Sequence, residues 1–207
     1  MPSEEQKMDA LREIAHIGAG NASNSLSEMT GSNIEVEFPE IEKYDIEEVP
    51  EILGDKDEIV TAASIQMHTE LAEADNNNLG RIALIMDYDS SKKLASMISP
   101  VDEDKEGLTE MDISSLKELE NVLAGTCLEA ISEMIGREFY ESTPFFHVDM
   151  MGAVMQGMVL DMVETHDEII VFKTKFQCTE EVNAYFMFFF TEMGYKSIID
   201  NIDDFSK

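Results

Sequence analysis

The sequence predicts an α+β fold built from two similar halves, about residues 1–105 and 106–207. Three observations lead to it: the chain matches itself, each half begins with a long amphipathic helix, and paired strand patterns follow each helix. We expect one domain, 1–207, with a pseudo-twofold axis and a mostly antiparallel sheet. One face of that sheet would be covered, so that the two long helices present their outer sides together.

The self-match is found when the chain is moved along itself by 105 residues without gaps. The aligned pairs include Glu13 with Glu118, His16 with Asn121, Gly20 with Gly125 and Pro39 with Pro144. Both copies have the form [Asp/Ser]-x3-Glu-x2-[Asn/His]-x22-Pro. An ungapped match over about thirty residues indicates an internal duplication.

The long helix of the second half is predicted from about 110 to 135. Its core-facing stripe repeats every three or four residues and consists of Leu116, Leu119, Leu123, Thr126, Ala130 and Met134. The opposite stripe consists of Ser114, Glu118, Asn121 and Gly125. Glu118 offers a carboxylate, and Asn121 offers both a donor and an acceptor. Gly125 leaves room for another surface. This would compensate for glycine within a helix, which lowers helix stability by about 1 kcal/mol relative to alanine.

The first half begins with the matching helix, predicted from about Ser3 to Met29. Its inner stripe consists of Leu11, Ile14, Ala15, Gly18, Ala22, Ser25, Leu26 and Met29. Its outer stripe consists of Asp9, Glu13, His16 and Gly20. The outer stripes of the two helices therefore carry the same arrangement, with histidine in the first where the second has asparagine.

The remaining elements alternate between strand and helix patterns. In the first half we predict a strand over 33–38, a strand and turn over 44–53, a hairpin of 58–67 with 80–88 joined by the loop 74–79, and a helix that ends at Ile98. Ser90 or Ser91 is the expected N-cap of that helix. The acidic segment 100–107 is the expected linker. The second half repeats the plan, with a strand over 137–142, a short helix within the Met-rich stretch 148–160, a hairpin of 168–177 with 182–190 and a closing helix over 195–201.

Composition narrows the possible functions. The net charge of −30 and the isoelectric point near 4.1 argue against nucleic acid and anionic membranes as partners. Two cysteines, Cys127 and Cys178, make neither a disulfide framework nor a metal site. His147 and Asp149 form an H-x-D sequence, but no third ligand accompanies them, so no metal site is predicted. We expect a cytoplasmic protein without membrane insertion and with no cofactor of its own.

On these residues the sequence resembles the CheC family of chemotaxis phosphatases, which are relatives of CheX and of the flagellar-switch protein FliY. The resemblance runs from about Ser3 to Ile202 and includes the Ile17-Gly-Ala-Gly-Asn-Ala22 run. It implies a phosphatase that removes phosphate from the aspartyl phosphate of a CheY-like response regulator, with Mg²⁺ supplied by that regulator. It further implies that Asn121 places a water and that Glu118 docks the regulator by pairing with a lysine.

The first copy departs from the family pattern, because His16 stands where the family has asparagine. A neutral imidazole can hold a water, so His16 is either a substitute or a residue that fills the place of a lost asparagine; both alternatives remain open. Glu13 and His16 are therefore candidate catalytic residues together with Glu118 and Asn121. Gly20 and Gly125 are candidate partner contacts.

The resemblance also implies a partner surface outside the helices. The segment Val148-Asp-Met150 resembles the surface that meets the deamidase CheD, which makes Asp149 a candidate contact. Two functions follow: the phosphatase, or a non-catalytic adapter that binds CheD, a response regulator or the flagellar switch. The intact Glu118 and Asn121 pair favours the phosphatase. We expect a monomer or a heterodimer.

Overall fold

The computed structural model describes residues 4–37, 39–69, 78–99, 107–160, 168–178 and 182–202. Within these residues the helices are α1 (Glu4–Thr30), α2 (Tyr88–Ile98), α3 (Glu110–Ile135), α4 (Met151–Val159), α5 (Glu192–Ile202) and a 3₁₀ helix over Ile46–Glu51. The strands are β1 (Ile34–Val36), β2 (Glu40–Asp45), β3 (Ile59–His68), β4 (Gly80–Asp87), β5 (Tyr140–Glu141), β6 (Phe145–Met150), β7 (Glu168–Cys178) and β8 (Asn183–Phe190).

All described strands join one antiparallel sheet in the order β1-β7-β8-β4-β3-β5. Strand β2 also pairs with β7, and β6 also pairs with β3. The predicted hairpins, β3–β4 and β7–β8, lie side by side at the centre. The predicted α+β class with a mostly antiparallel sheet is confirmed.

The two halves contain the same elements in the same order: a long helix, two short strands, a short helix, a hairpin and a further helix. The first short strand of each half pairs with the hairpin of the other half. Val36 lies opposite Phe176, and Glu141 lies opposite Met67. This exchange is what a duplicated pseudo-twofold domain would produce. The duplication and the single-domain boundaries stay predictions.

The long helices have the rotation that their sequence patterns predict. Leu11, Ile14 and Ala22 of α1 are buried, as are Leu116 and Leu119 of α3. The helices meet closely, because the Cys127 thiol donates a hydrogen bond to the Gly18 carbonyl oxygen at 2.9 Å. A Cβ atom on Gly18 would lie 3.4 Å from that sulfur. No helix of the described residues is long and apolar enough to cross a membrane.

The expectation that only one face of the sheet is covered was wrong. Alternate residues of β3 enter different cores: Ile65 and Met67 pack with α1 and α3, whereas Val60 and Ala62 pack with α4 and the 3₁₀ helix. The central strands are apolar on both sides, with Met187 and Phe189 of β8 facing α4. Burying that second apolar surface requires a second layer.

Two local predictions also need correction. The N-cap of α2 is Asp87, whose carboxylate accepts from the Ser90 backbone N–H at 2.7 Å, rather than Ser90 or Ser91. Both serines lie inside the first turn, and the Ser91 hydroxyl donates to the Tyr88 carbonyl oxygen. The helix expected within 148–160 begins only at Met151, because 145–150 form β6 against β3. The expected linker, except Gly107, and most of the loop 74–79 lie outside the described residues.

Candidate active site on helix α3

The Glu118 and Asn121 side chains stand on the outward side of α3, and we call them the second site. Leu116, Leu119 and Leu123 have no exposed surface, so packing against the core determines which side of the helix faces solvent. Glu118 is exposed and Asn121 is partly buried. Since they are three residues apart on a helix, their side chains are neighbours.

These side chains open into a groove of about 600 Å³ between α3 and the segment that follows β5. The helix contributes Glu110, Ile113, Ser114, Lys117, Glu118 and Asn121, and the opposite side consists of Glu141, Ser142, Thr143 and Pro144. We call residues 141–144 the groove wall. A groove of this kind is open to a convex protein surface.

Hydrogen bonds hold the groove wall on strand β3. The Ser142 backbone N–H donates to the Gln66 carbonyl oxygen at 3.0 Å, and the Gln66 backbone N–H donates to the Ser142 hydroxyl at 3.0 Å. Glu141, one residue earlier, is paired with Met67 in the sheet. The groove wall is therefore part of the scaffold, so its distance from α3 is set by the sheet.

Gly125 lies beneath this wall. A Cβ atom on Gly125 would lie 3.6 Å from the Glu141 Oε1 atom, which is an ordinary van der Waals distance. The space over Gly125 is therefore bounded by a carboxylate of the same chain. Its counterpart Gly20 is exposed, and a Cβ atom there would meet nothing within 4 Å. The predicted partner contacts at Gly20 and Gly125 stay predictions.

Glu13 and His16 occupy the matching positions on α1, and we call them the first site. Both are exposed. Arg12 also lies on the exposed side, and its Nη1 atom forms an ion pair with the Asp9 Oδ1 atom at 3.0 Å. The structure therefore places the four candidate catalytic residues on two helices that pack against each other, in two separate pairs.

A buried acid lies directly beside the second site. Glu120 has no exposed surface, and within the described part of the chain neither of its carboxyl oxygens has a hydrogen-bond partner. Burial raises the pKa of Glu120 well above its ordinary value. Burial, and secondarily the proximity of Glu120, raises the pKa of the Cys127 thiol. Glu120 is fully buried and does not line the groove, so it is a core residue.

Asp149 is not brought near either pair. It lies exposed on β6, where its Oδ1 atom accepts from the Met150 backbone N–H at 2.8 Å. It lines a separate cavity of about 390 Å³ together with His147, Arg81 and residues of α4. Since α4 packs on the other side of the sheet, this cavity and the groove are on opposite faces. Among the described residues no group of three or more His, Cys, Asp or Glu is arranged to hold a metal ion.

Lys117 and Glu141 are among the groove residues that the sequence-based prediction missed. Lys117 precedes Asn121 by four residues, so helical spacing alone could have placed it beside Asn121. Glu141 has no such signal. It reaches the groove only because β5 pairs with β3, and nothing local in the sequence indicates that pairing.

A family model described as CheC-like matches residues 7–42. A protein of Bacillus subtilis (strain 168) named CheY-P phosphatase CheC is 29% identical over 173 residues, which cover 82% of this chain and 79% of that protein. The predicted resemblance to the CheC family is confirmed.

Solved structures show the same fold. Thermotoga maritima FliY has a TM-score of 0.74 at 17% identity and covers 99% of both chains. The CheX–CheY–BeF₃–Mg²⁺ complex of Borrelia burgdorferi matches with a TM-score of 0.56 at 18% identity, covering 84% of this chain and 96% of that chain. The fold is thus the one that CheX and FliY share with the CheC family. The roles of individual residues stay predictions.

Proposed function

We propose that this protein is a phosphatase that hydrolyses the aspartyl phosphate of a CheY-like response regulator. The observation that carries the proposal is the pair Glu118 and Asn121, side by side on the solvent side of α3 and lining an open groove with a fixed wall. The similar Bacillus subtilis protein named CheY-P phosphatase CheC supports it. We further propose that the chain acts as one domain, 1–207.

The chemistry requires little from the enzyme beyond positioning. Water attacks the phosphorus, the bond between phosphorus and the aspartyl oxygen breaks, and the products are the free carboxylate and inorganic phosphate, which takes the proton of the water. In our proposal Asn121 orients this water through its side-chain amide, without transferring a proton itself. Asn121 is partly buried and lines the groove together with the groove wall.

Glu118 has a docking role in this proposal. It is exposed at the groove, one turn from Asn121, where a lysine of the regulator can pair with it. Pairing would set the register of the two proteins and so place the phosphoryl group in front of Asn121. Glu13 and His16 form the corresponding first site, whose activity depends on whether the imidazole can replace the asparagine amide.

The cation in this reaction is assigned to the substrate. The Borrelia burgdorferi complex contains CheY with BeF₃ and Mg²⁺. We propose that Mg²⁺ likewise enters here bound to the response regulator, and that the chain has no cofactor of its own. A regulator of this kind works in the cytoplasm, which is where we place this protein.

The second candidate function is an adapter that binds CheD or another partner through β6. The observation that favours it is an exposed apolar patch on that strand, where Phe145 is 56%, Val148 47% and Met150 46% exposed, with Asp149 among them. An exposed apolar patch beside a charged residue is typical of a protein interface. The adapter and phosphatase surfaces lie apart, so one chain can have both functions.

The deciding experiment is release of phosphate from a phosphorylated CheY-like regulator of the same organism, with and without the protein. We expect hydrolysis to be faster with the wild-type protein, and nearly as slow as the unassisted reaction with Asn121→Ala. If the wild-type protein binds the regulator but leaves its hydrolysis unchanged, the phosphatase proposal is wrong and the adapter remains.

A further inference from the structure

The two long helices carry a basic residue at the same place. Lys117 precedes Asn121 by four residues, and Arg12 precedes His16 by four. Residues four apart lie on one side of a helix, so each cation stands one turn from the residue that is predicted to place the water. These two cations are in different electrostatic surroundings.

Arg12 is paired with an acid of its own helix. Its Nη1 atom lies 3.0 Å from the Asp9 Oδ1 atom. The position that matches Asp9 in the second half is Ser114, which carries no charge. Within the part of the chain that the structure describes, Lys117 has neither an ion-pair nor a hydrogen-bond partner. The exchange of aspartate for serine therefore leaves the cation of α3 available.

The charge of the groove gives Lys117 a function. Three carboxylates line the groove, those of Glu110, Glu118 and Glu141, and Lys117 is the single basic residue among its described lining residues. The chain as a whole has a net charge of −30. A phosphoryl group that enters this groove is repelled by nearby carboxylates, and an ammonium group beside Asn121 offsets part of that repulsion.

We infer that Lys117 is a phosphate-contacting residue of the second site, and that Ser114 keeps its ammonium group available. The ammonium group donates a hydrogen bond to a phosphoryl oxygen while Asn121 holds the water. A charge-assisted hydrogen bond of this kind is stronger than a neutral one. This inference rests on the phosphatase function proposed above. If it holds, the two sites differ in the availability of their cations as well as in having His16 or Asn121.

The first test compares Lys117→Met with Lys117→Arg. We expect Lys117→Met to lower kcat/KM for the phosphorylated regulator by about tenfold, and Lys117→Arg to stay within about threefold of the wild type. Binding separates a contact from a structural effect. The wild type should bind the regulator carrying BeF₃ and Mg²⁺ more tightly than the unmodified regulator. In Lys117→Met the ratio of these two affinities should be about tenfold smaller. Binding of the unmodified regulator should change little.

The second test places the aspartate of the first site into the second. Ser114→Asp should pair with Lys117 and lower kcat/KM about as much as Lys117→Met. It should lower kcat/KM clearly more than Ser114→Asn, which has a similar size and no charge. In the double variant the two losses should not multiply, since both remove the same cation. If Ser114→Asp lowers activity equally in the Lys117→Met background, it acts by repelling the substrate and the role assigned to Ser114 is wrong.

The possible outcomes distinguish a failure of this inference from a failure of the proposed phosphatase function. A wild-type protein that does not accelerate hydrolysis overturns the phosphatase and this inference together. A wild type that accelerates hydrolysis, with a Lys117→Met variant of equal kcat/KM and equal preference for the BeF₃ form, leaves the phosphatase intact and overturns the assignment of Lys117.

Discussion

The first and second sites share a backbone and differ in chemistry. On α3, Asn121 stands beside Lys117, which has no partner among the described residues, and opposite a groove wall held by β3. On α1, His16 replaces the asparagine and Arg12 is paired with Asp9. Most buried positions of both helices are apolar, because packing constrains them, whereas exposed positions can change without cost to the fold. A repeated helix therefore preserves the geometry of a site more readily than its chemistry.

The two helices also differ beneath their exposed faces. Glu120 is buried without a hydrogen-bond partner among the described residues, and the matching residue of α1 is Ala15. A buried acid without a hydrogen-bond partner costs folding free energy, and the cost is larger when the acid is ionised. The second half therefore has both the more complete site and the less favourable core position.

The largest difference between the sites should be seen when each water-placing candidate is removed. We expect Asn121→Ala to lower kcat by about 10²-fold, as with other lost transition-state hydrogen bonds, and His16→Ala to cost much less. Phosphate release from the phosphorylated regulator measures both. Equal losses in the two variants would mean that the sites contribute equally and that our ranking is wrong.

A smaller difference is expected for the two glutamates. Glu118→Ala should weaken binding of the regulator by about tenfold and reduce turnover with it, because a docking ion pair is lost. Glu13→Ala is the matched control and should have a smaller effect. Added salt should slow association of the wild type more than of Glu118→Ala. Normal binding and normal turnover in Glu118→Ala would reduce Glu118 to an ordinary solvated helix residue.

Restoring the first site should give a gain of a few fold. In an Asn121→Ala background, His16→Asn supplies the missing amide, and adding Asp9→Ser releases Arg12 from its ion pair. We expect activity to rise with the first change and again with the second. No gain from either change would mean that α1 lacks more than these two groups.

Replacing Glu120 should have the smallest effect on activity of these changes, but a clear effect on stability. Its pKa is raised in the folded state by burial, so the folded protein binds a proton that the unfolded chain releases above the ordinary glutamate pKa. The free energy of unfolding should therefore fall as the pH rises through that range, by about 1.4 kcal/mol per pH unit from this group while it stays protonated.

Urea unfolding at several pH values measures this dependence. Glu120→Gln cannot titrate, so its stability relative to wild type should increase with pH. Glu133→Gln, at an exposed position of the same helix, is the control. A constant difference between Glu120→Gln and wild type across the pH range would show that Glu120 does not bind the extra proton.

The sequence alone determined the two long helices, their rotation and the two hairpins. The apolar residues Leu116, Leu119 and Leu123 recur every three or four positions, which is a local signal in the sequence, and all three are buried. This spacing places Glu118 and Asn121 on the outward side of the helix, whatever the helix packs against. Runs of apolar residues separated by polar turn segments did the same for the hairpins. The order of the elements and the candidate pair could therefore be predicted.

Only the tertiary structure decided the surroundings of that pair. Ser142 is held by Gln66, 76 residues away along the chain, and this contact brings Glu141 over Gly125 to complete the groove. The same kind of distant pairing placed β6 on β3, and the apolar second face of the central strands required α4 to cover it. Such contacts depend on which strands meet in space, and a local pattern of residues contains no information about that choice.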